Sequence, residues 1–502
     1  MQGPAKGRDR RLFGGRAGAL GDLAASPYRA DRDRIASSPF FARLGGVTQV
    51  VSPGGAGLLV HNRLTHSIKV AQVGRAIAER LAAGPYAELL DRLGGCDPDV
   101  VEAAALAHDL GHPPFGHLGE QVLDRLARRQ LGLPDGFEGN AQSYRIVTST
   151  EIRKTATIGL DLTAAVRAAI LKYPWTRRGH PEPHPRLLDP APRGAAAPPG
   201  EPDSGSAKFG AYDTEAADLR QAREPFADRI APWQQTVEAS IMDTADDIAY
   251  AIHDVEDFHR VGVLQQGVVA AELTGWQRDA GQLRNLSDGA LPGARRRPGA
   301  AIELLRRQLH RKDAWIADDD AFAAAVEQVR TELVDGLLAA PFDGSIEAEQ
   351  YVAGFSARWT RRLVDAVTAT AAPVNRSGHV LLAVPQWHEV QVLKLVHHRF
   401  VLERPDLALH QRGQARLLTM LVDALYAWLG DPDESDRLPQ RLHDLVELAE
   451  TELHPRTPER IARARARATI DFVAALTDGQ AGALLDALTG RSGALWTDAF
   501  VL

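Results

Sequence analysis

Apolar residues spaced three and four apart recur from about residue 64 to the C-terminus, and that period commits the chain to packed helices. Strand-like alternation is scarce: VTQVV at 47–51 and HVLLAV at 379–384 are the best runs, each beside Gly or Pro. The fold expected is all-α, with loop insertions and a minor β-hairpin. No fixed-period repeat interrupts the pattern. Punctuation by Pro and Gly marks 178–206 as a loop that cannot hold a packed element. Residues 284–300 read similarly, with Arg295, Arg296 and Arg297 as a solvated cluster, and 371–378 as a turn into the second strand-like run. The first 25 or so residues are expected to be poorly ordered unless a partner ties them down.

Composition narrows the function classes. The chain has 502 residues, 44% hydrophobic and 25% charged, which excludes disorder throughout. Its one cysteine, Cys96, precludes an intramolecular disulfide and a cysteine-based zinc or iron–sulfur site, and with no base near it in sequence it is expected to be inert. No apolar run approaches the length of a membrane span. The basic N-terminus has no apolar stretch of a signal peptide behind it, so a cytoplasmic location is expected. A net charge of −7 argues against a general nucleic-acid coat. It leaves a nucleotide substrate open, because a small anion needs only a local cationic pocket or a metal.

Three segments carry chemistry. Behind the N-cap Asn62, His66 shares a helical face with Val70, Val73, Ile77 and Leu81, and Arg63 lies one turn earlier on nearly the same face. A buried arginine there needs an anion. After the Asp97–Pro98 cap, DVVEAAALAHDLGH puts His108 and His112 on one face, and Gly111, Pro113, Pro114 and Gly116 force a sharp turn. His112, His117 and Glu120 are thereby returned towards His108 and Asp109. Burying such groups on a rigid turn is costly unless they bind something, and a metal ion suits neutral imidazole and ionised carboxylate. Finally, Asp243, Asp246, Tyr250, Asp254 and Asp257 form one stripe of a helix whose opposite stripe is Ile241, Ala245, Ile248, Ile252 and Val255. Like charges at that spacing repel, so a cation or a function should compensate them. His388, His397 and His398 are expected to be core or surface histidines, and Trp233 and Trp387 packing aromatics.

The ordered strings NRLTHS (62–67), AHDLGHPPFGHLGE (107–120), GFEGNAQSYRI (136–146), GLDLTAAVRAAILKYPW (159–175), KFG (208–210) and EASIMDTADDIAYAIHDVED (238–257) resemble the bacterial deoxyguanosinetriphosphate triphosphohydrolases and their relatives, within the HD-domain phosphohydrolases. DFVAALTD at 471–478 is similar to the closing helix motif of that family. The resemblance implies a helical hydrolase that splits a deoxynucleoside triphosphate, dGTP by default, into deoxynucleoside and inorganic triphosphate. It implies one divalent metal, Mn2+ or Mg2+, on His66, His108, Asp109 and Asp246. His117 matches the catalytic histidine beside the α-phosphate, Glu120 its orienting or relay partner, and His112 a second phosphate-facing histidine. Arg63, Lys172, Lys208 and Tyr250 match triphosphate contacts, Tyr173 and Asp254 positions near the sugar, and Gln49 one near the 3′-hydroxyl. Asn140 lies in a motif of structural or substrate-facing role.

The resemblance also implies a division into a flexible segment at 1–26, an HD-domain catalytic core at 27–270 interrupted by 178–206, and a helical region at 271–502 packed on it. That last region would carry regulatory and homo-oligomer contacts, with a nucleotide or single-stranded DNA as effector. The chain departs from the family pattern at FFARLGGVTQV, where a paired-Arg segment is usual, and across 280–470. Two alternatives stay open: an HD phosphohydrolase on another nucleotide such as a nucleoside monophosphate, and a non-enzymatic nucleotide or nucleic-acid binder.

Overall fold

The computed structural model describes residues 5–13, 26–50, 60–154, 157–291, 297–452 and 457–492. It is a helical protein, as the all-α reading expected, with two separate two-stranded antiparallel sheets among the described residues. Three helices frame its centre. Asn62 starts Arg63–Ala82 by accepting the Thr65 amide, Asp97 starts Pro98–Ala107 with a proline in the first turn, and Thr236 starts Val237–Arg260. Val70, Ile77 and Leu81 of the first meet Val101, Ala104 and Ala105 of the second and Ile241, Ala245 and Ile248 of the third in one buried cluster. The alanines let the backbones approach, which draws the polar residues at the helix ends into the interior.

That cluster continues through Trp276, Phe322, Trp359 and Trp387 to Leu407 and Ala475. A second cluster joins Leu123 and Leu126 of the Gly116–Arg129 helix to Leu421 and Leu425 of Pro405–Leu429 and Ile470 of Pro458–Ala474. The C-terminal helices thus brace the central segment. Buried Arg145 reinforces this by binding Glu215 at 2.6 Å, Asp471 at 2.8 Å and Glu452 at 2.9 Å. Among the described residues no helix is long and apolar enough to cross a membrane.

Several expectations need correction. HVLLAV contributes only Val380–Leu382 to a hairpin with Val367–Ala369, because Pro385 opens the next helix, Val384–His397. VTQVV forms no strand among the described residues: Thr48 makes a single bridge to Asn62, while its amide and hydroxyl go to Asp478. Val51 lies outside the described residues. A hairpin of Ile152–Lys154 with Thr157–Ile158 had no strand signal. The Pro-rich 178–206 segment has no α-helix or strand, yet it is packed: Ala195 is buried with Trp175, Phe209 and Tyr212, Ser206 donates to the Ala195 carbonyl, and Glu201 binds Arg128 and Arg129. Residues 5–13 are tied down by the chain itself, since Arg8 pairs with buried Glu238 and Arg11 with buried Asp31 at 2.7 Å. Arg297 reaches Gln282 and Asp279, whereas Arg295 and Arg296 lie outside the described residues.

A candidate metal centre beside a histidine–glutamate pair

The Pro98–Ala107 helix ends at His108, and the chain turns before the Gly116–Arg129 helix begins. Gly111 makes the turn possible: a Cβ there would lie 2.2 Å from the Ser143 nitrogen and 2.4 Å from the Gly139 carbonyl. Phe115 adopts the left-handed region (φ 65°), its amide held by Asp478 at 2.8 Å. Ser143 Oγ donates to the His108 carbonyl and accepts from the Gly111 amide, both at 2.8 Å. Arg43 donates to the carbonyls of Leu110 and His112 and to those of Ala474 and Leu476, stitching the turn to the C-terminal helix end. Burial, with Arg63 nearby, brings its guanidinium down to about 10.

Donor atoms of buried His66, His108 and Asp109 all lie within 4.8 Å of one another. Asp246, from the Val237–Arg260 helix, joins them: its Oδ1 is 3.1 Å from His66 Nε2 and 3.7 Å from His108 Nε2. His108 Nδ1 is 2.6 Å from the Ala105 carbonyl, which takes its N–H and leaves the Nε2 lone pair facing Asp109 Oδ1 at 3.4 Å. Burial opposes ionisation of Asp109, but Arg63 (Nη1 to Oδ2, 2.9 Å), His108 and His112 hold it well below the usual carboxylate range. Against the same burial, Lys172 and His66 hold Asp246 low. Lys172 Nζ bridges Asp246 Oδ2 at 3.0 Å and Asp243 Oδ1 at 2.6 Å.

This donor set of imidazoles and ionised carboxylates fits a divalent cation. The His66–Asp246 contact holds a proton between two atoms that could both ligate an ion, and it raises the His66 pKa despite burial.

A second group adjoins the first. His112 is buried, with Nδ1 3.0 Å from Asp109 Oδ1 but without hydrogen-bond geometry, and burial and Arg63 bring it down to about 4. Its ring meets that of His117 edge-on at 5.2 Å. His117, with 61% of its side chain exposed, pairs through Nδ1 with Glu120 Oε2 at 3.2 Å. Glu120 also takes Lys208 Nζ at 2.6 Å, a lysine shared with Glu138 at 2.8 Å. Burial would raise Glu120, yet Lys208 and His117 hold it well below the usual range. Glu138 is pushed up by burial and serves as the N-cap of Gly139–Arg145, accepting from the Asn140 and Ala141 amides. Asn140 Nδ2 also binds it at 2.9 Å.

Each acidic residue of the predicted stripe has a cation or imidazole close by, although Asp254 Oδ2 is buried without a hydrogen bond. Beyond Lys172, Asp257 takes His61 (Nδ1, 2.6 Å), and Asp254 Oδ2 lies 2.8 Å from His397 Nδ1, which also meets the Tyr250 hydroxyl at 2.9 Å. Burial, then Asp254, pushes the Tyr250 phenol up. His388 and His398 match the expectation, one bonded in the core through Val384 O and the Asp318 amide and the other exposed. His397 is a core histidine as well, and its ring lies against Tyr250 and Asp254 of the stripe. Gln49 has a buried Oε1 without a partner, while Tyr173 stands beside Lys172 with Gly194 of the Pro-rich segment against its ring.

Sequence reading passed over Arg43, Ser143 and Glu138, and gave His397 no place beside the acidic stripe. Arg43 and Ser143 act on distant backbone and His397 on side chains brought in by the fold, while Glu138 caps its helix although glutamate is not among the residues that announce an N-cap.

The HD domain pattern matches residues 63–191, and a phosphohydrolase-associated domain matches 383–486. A Streptomyces coelicolor protein described as deoxyguanosinetriphosphate triphosphohydrolase-like is 34% identical over 92% of this chain and 93% of its own. A Bifidobacterium longum protein of the same description is 30% identical over 91% and 82%, and a Shewanella one 35% identical over 51% and 56%. With the HD pattern spanning His66, His108 and Asp109, the chain belongs to the deoxyguanosinetriphosphate triphosphohydrolase-like family of HD-domain phosphohydrolases.

Proposed function

We propose that this phosphohydrolase acts on deoxynucleoside triphosphates, with dGTP the first candidate, releasing deoxynucleoside and inorganic triphosphate. The observation that carries the reading is the pairing of a donor set suited to a divalent ion with a separate, solvent-reaching His117–Glu120 couple beside it. His66, His108, Asp109 and Asp246 would hold Mn2+ or Mg2+. When bound, such an ion supplies Lewis-acid polarisation of a phosphoryl oxygen. His117 Nε2 acts as the general acid–base group at the α-phosphorus, and Glu120 fixes its tautomer by taking the Nδ1 proton. His112, kept neutral, faces the phosphates without adding charge.

Arg63 Nε and Nη2 are buried without partners and are the donors best placed for phosphate oxygens. Lys172 and Lys208 join them by exchanging carboxylates for phosphate, with Tyr250 alongside. Tyr173 and Asp254 face the sugar, and Gln49 offers its orphaned amide oxygen to the 3′-hydroxyl. We place the protein in the cytoplasm as a homo-oligomer, with the 271–502 region carrying its contacts and any nucleotide or single-stranded DNA effector.

Product analysis across the four dNTPs, singly and mixed, with Mn2+ and with Mg2+, tests this. Inorganic triphosphate from at least one is expected; none from any would refute it. One observation favours a second reading. Both active-site lysines are already neutralised by two carboxylates each, which suits a less charged substrate such as a nucleoside monophosphate. That reading yields orthophosphate instead.

A further inference from the structure

The two lysines assigned to the triphosphate each already hold two carboxylates, so its outermost phosphate would meet little free positive charge from them. Lys172, however, also lines a cavity of about 190 Å3 beside the Val237–Arg260 helix. The helix wall of that cavity runs from Ser240 through Asp243 to Asp247, so most of it lies N-terminal to Asp246. Asp254, placed beside the sugar, lies about 12 Å away in the C-terminal direction, at about 1.5 Å per residue. A substrate with its sugar at Asp254 and its α-phosphate at the candidate metal centre therefore directs its outer phosphates past Lys172 towards this cavity.

Charge accounting there leaves one cation over. Lys172 is held by Asp243 at 2.6 Å and Asp246 at 3.0 Å, Asp247 takes Lys394 at 2.6 Å, and Arg376 in the cavity wall takes Asp313 at 2.5 Å. Arg193, also in the wall, makes no hydrogen bond among the described residues. Its Nη1 stands 3.9 Å from Asp247 Oδ2, and 39% of its side chain is exposed. A guanidinium keeps its charge at any working pH, and its planar fork matches two oxygens of one phosphate. The backbone beside it is pinned. Gly194 (φ 78°) accepts the Lys208 amide at 3.1 Å, and a Cβ there would lie 2.6 Å from Lys208 Cβ and 3.0 Å from the Tyr173 ring. The Pro-rich segment thus presents Arg193 to the cavity from a point anchored on the second active-site lysine.

We propose that Arg193 is a further substrate-binding and specificity-determining residue, which takes the terminal phosphate and makes the site select a triphosphate over shorter phosphate chains. This assignment rests on the reading of the substrate as a deoxynucleoside triphosphate.

The test titrates the full chain calorimetrically with inorganic tripolyphosphate, pyrophosphate and deoxyguanosine, beside dNTP turnover. Wild type should bind tripolyphosphate at least about tenfold more tightly than pyrophosphate, the size of one charge-assisted hydrogen bond. Arg193→Gln should raise the tripolyphosphate Kd and the dNTP KM about tenfold each, so that the two inorganic ligands bind nearly alike, with pyrophosphate and deoxyguanosine unaffected. Arg193→Lys, a charge without the fork, should recover part of the loss. Triphosphate release by wild type with tripolyphosphate binding unchanged in Arg193→Gln would overturn this assignment alone. So would weakening confined to deoxyguanosine, which would give the cavity to the other end of the substrate. Failure of wild type to release triphosphate from any dNTP would remove the substrate reading and this assignment together.

Discussion

Two histidine groups stand side by side here and are built on opposite principles. In the first, His66, His108 and Asp109 are all buried, and the backbone that carries them is clamped from outside by Ser143, Arg43 and Asp478. In the second, His112 and Glu120 are buried but His117 reaches solvent from the first turn of a helix, held by one carboxylate. The difference separates two tasks. A group that grips an ion loses by moving, because ligand geometry sets affinity. A group that trades a proton with substrate or water gains from exposure and from a partner that fixes one nitrogen while freeing the other.

If that division is right, the largest effect belongs to Asp109→Ala. The variant should lose both bound metal and turnover, the latter by at least about a thousandfold, since several kcal/mol of phosphoryl charge neutralisation leaves with the ion. It also strands Arg63 as a buried cation, at a cost of about 3–5 kcal/mol. Metal content by elemental analysis, melting temperature and initial rate measure all three, and Asp109→Asn, which still accepts from Arg63, separates folding from ligation. Full metal occupancy in both variants would dissolve the first group as an ion site.

His117→Ala should cut turnover by about 10²–10⁴-fold while metal content and melting temperature stay at wild-type values. A variant that keeps its rate would leave the second group with no proton-transfer role; one that loses its metal would merge the two groups into a single site.

Much of this was legible in the chain itself. The residues of both groups sit in short runs whose spacing announces them: Asn62 to His66 by a cap and a helical face, His108 to Glu120 by a turn crowded with Gly and Pro. The acidic stripe was equally plain from period alone. What the sequence hid are long-range partners. Nothing local tells that Arg43 spends its guanidinium on carbonyls at 110, 112, 474 and 476, or that His397 lies between Tyr250 and Asp254. The Pro-rich segment misled for a related reason. Composition reports that it cannot form helix or strand, but its packing comes from Ser206, Arg186 and Glu201 reaching particular atoms, which composition does not encode.

A smaller effect probes the clamp. Ser143→Ala removes the hydroxyl that links the His108 carbonyl to the Gly111 amide, leaving that buried amide without a partner, for about 1–3 kcal/mol. Because the loss falls on the turn that aims His108 and Asp109, metal affinity should weaken about tenfold with the rate at saturating metal nearly kept. A fall in rate with unchanged affinity would place the clamp's influence on His117 instead.

The subtlest difference between the groups is electrostatic. Glu120 accepts the His117 proton only when ionised, and it stays ionised despite burial chiefly because Lys208 sits 2.6 Å away. Its carboxyl is depressed, so the function it supports is present at neutral pH and lost as pH falls through its lowered value. Lys208→Met keeps the burial and removes the largest opposing charge, so the Glu120 pKa rises and the loss on acidification begins at a higher pH. The profile of kcat/KM carried down to about pH 3 should therefore show its acid limb moved upward, with Lys208→Arg restoring the wild-type position. KM should also rise in Lys208→Met if this lysine turns to the phosphates, but that change would be the same at every pH. An acid limb that does not move would mean Glu120 is not the group titrating there, and the two groups would differ in exposure alone.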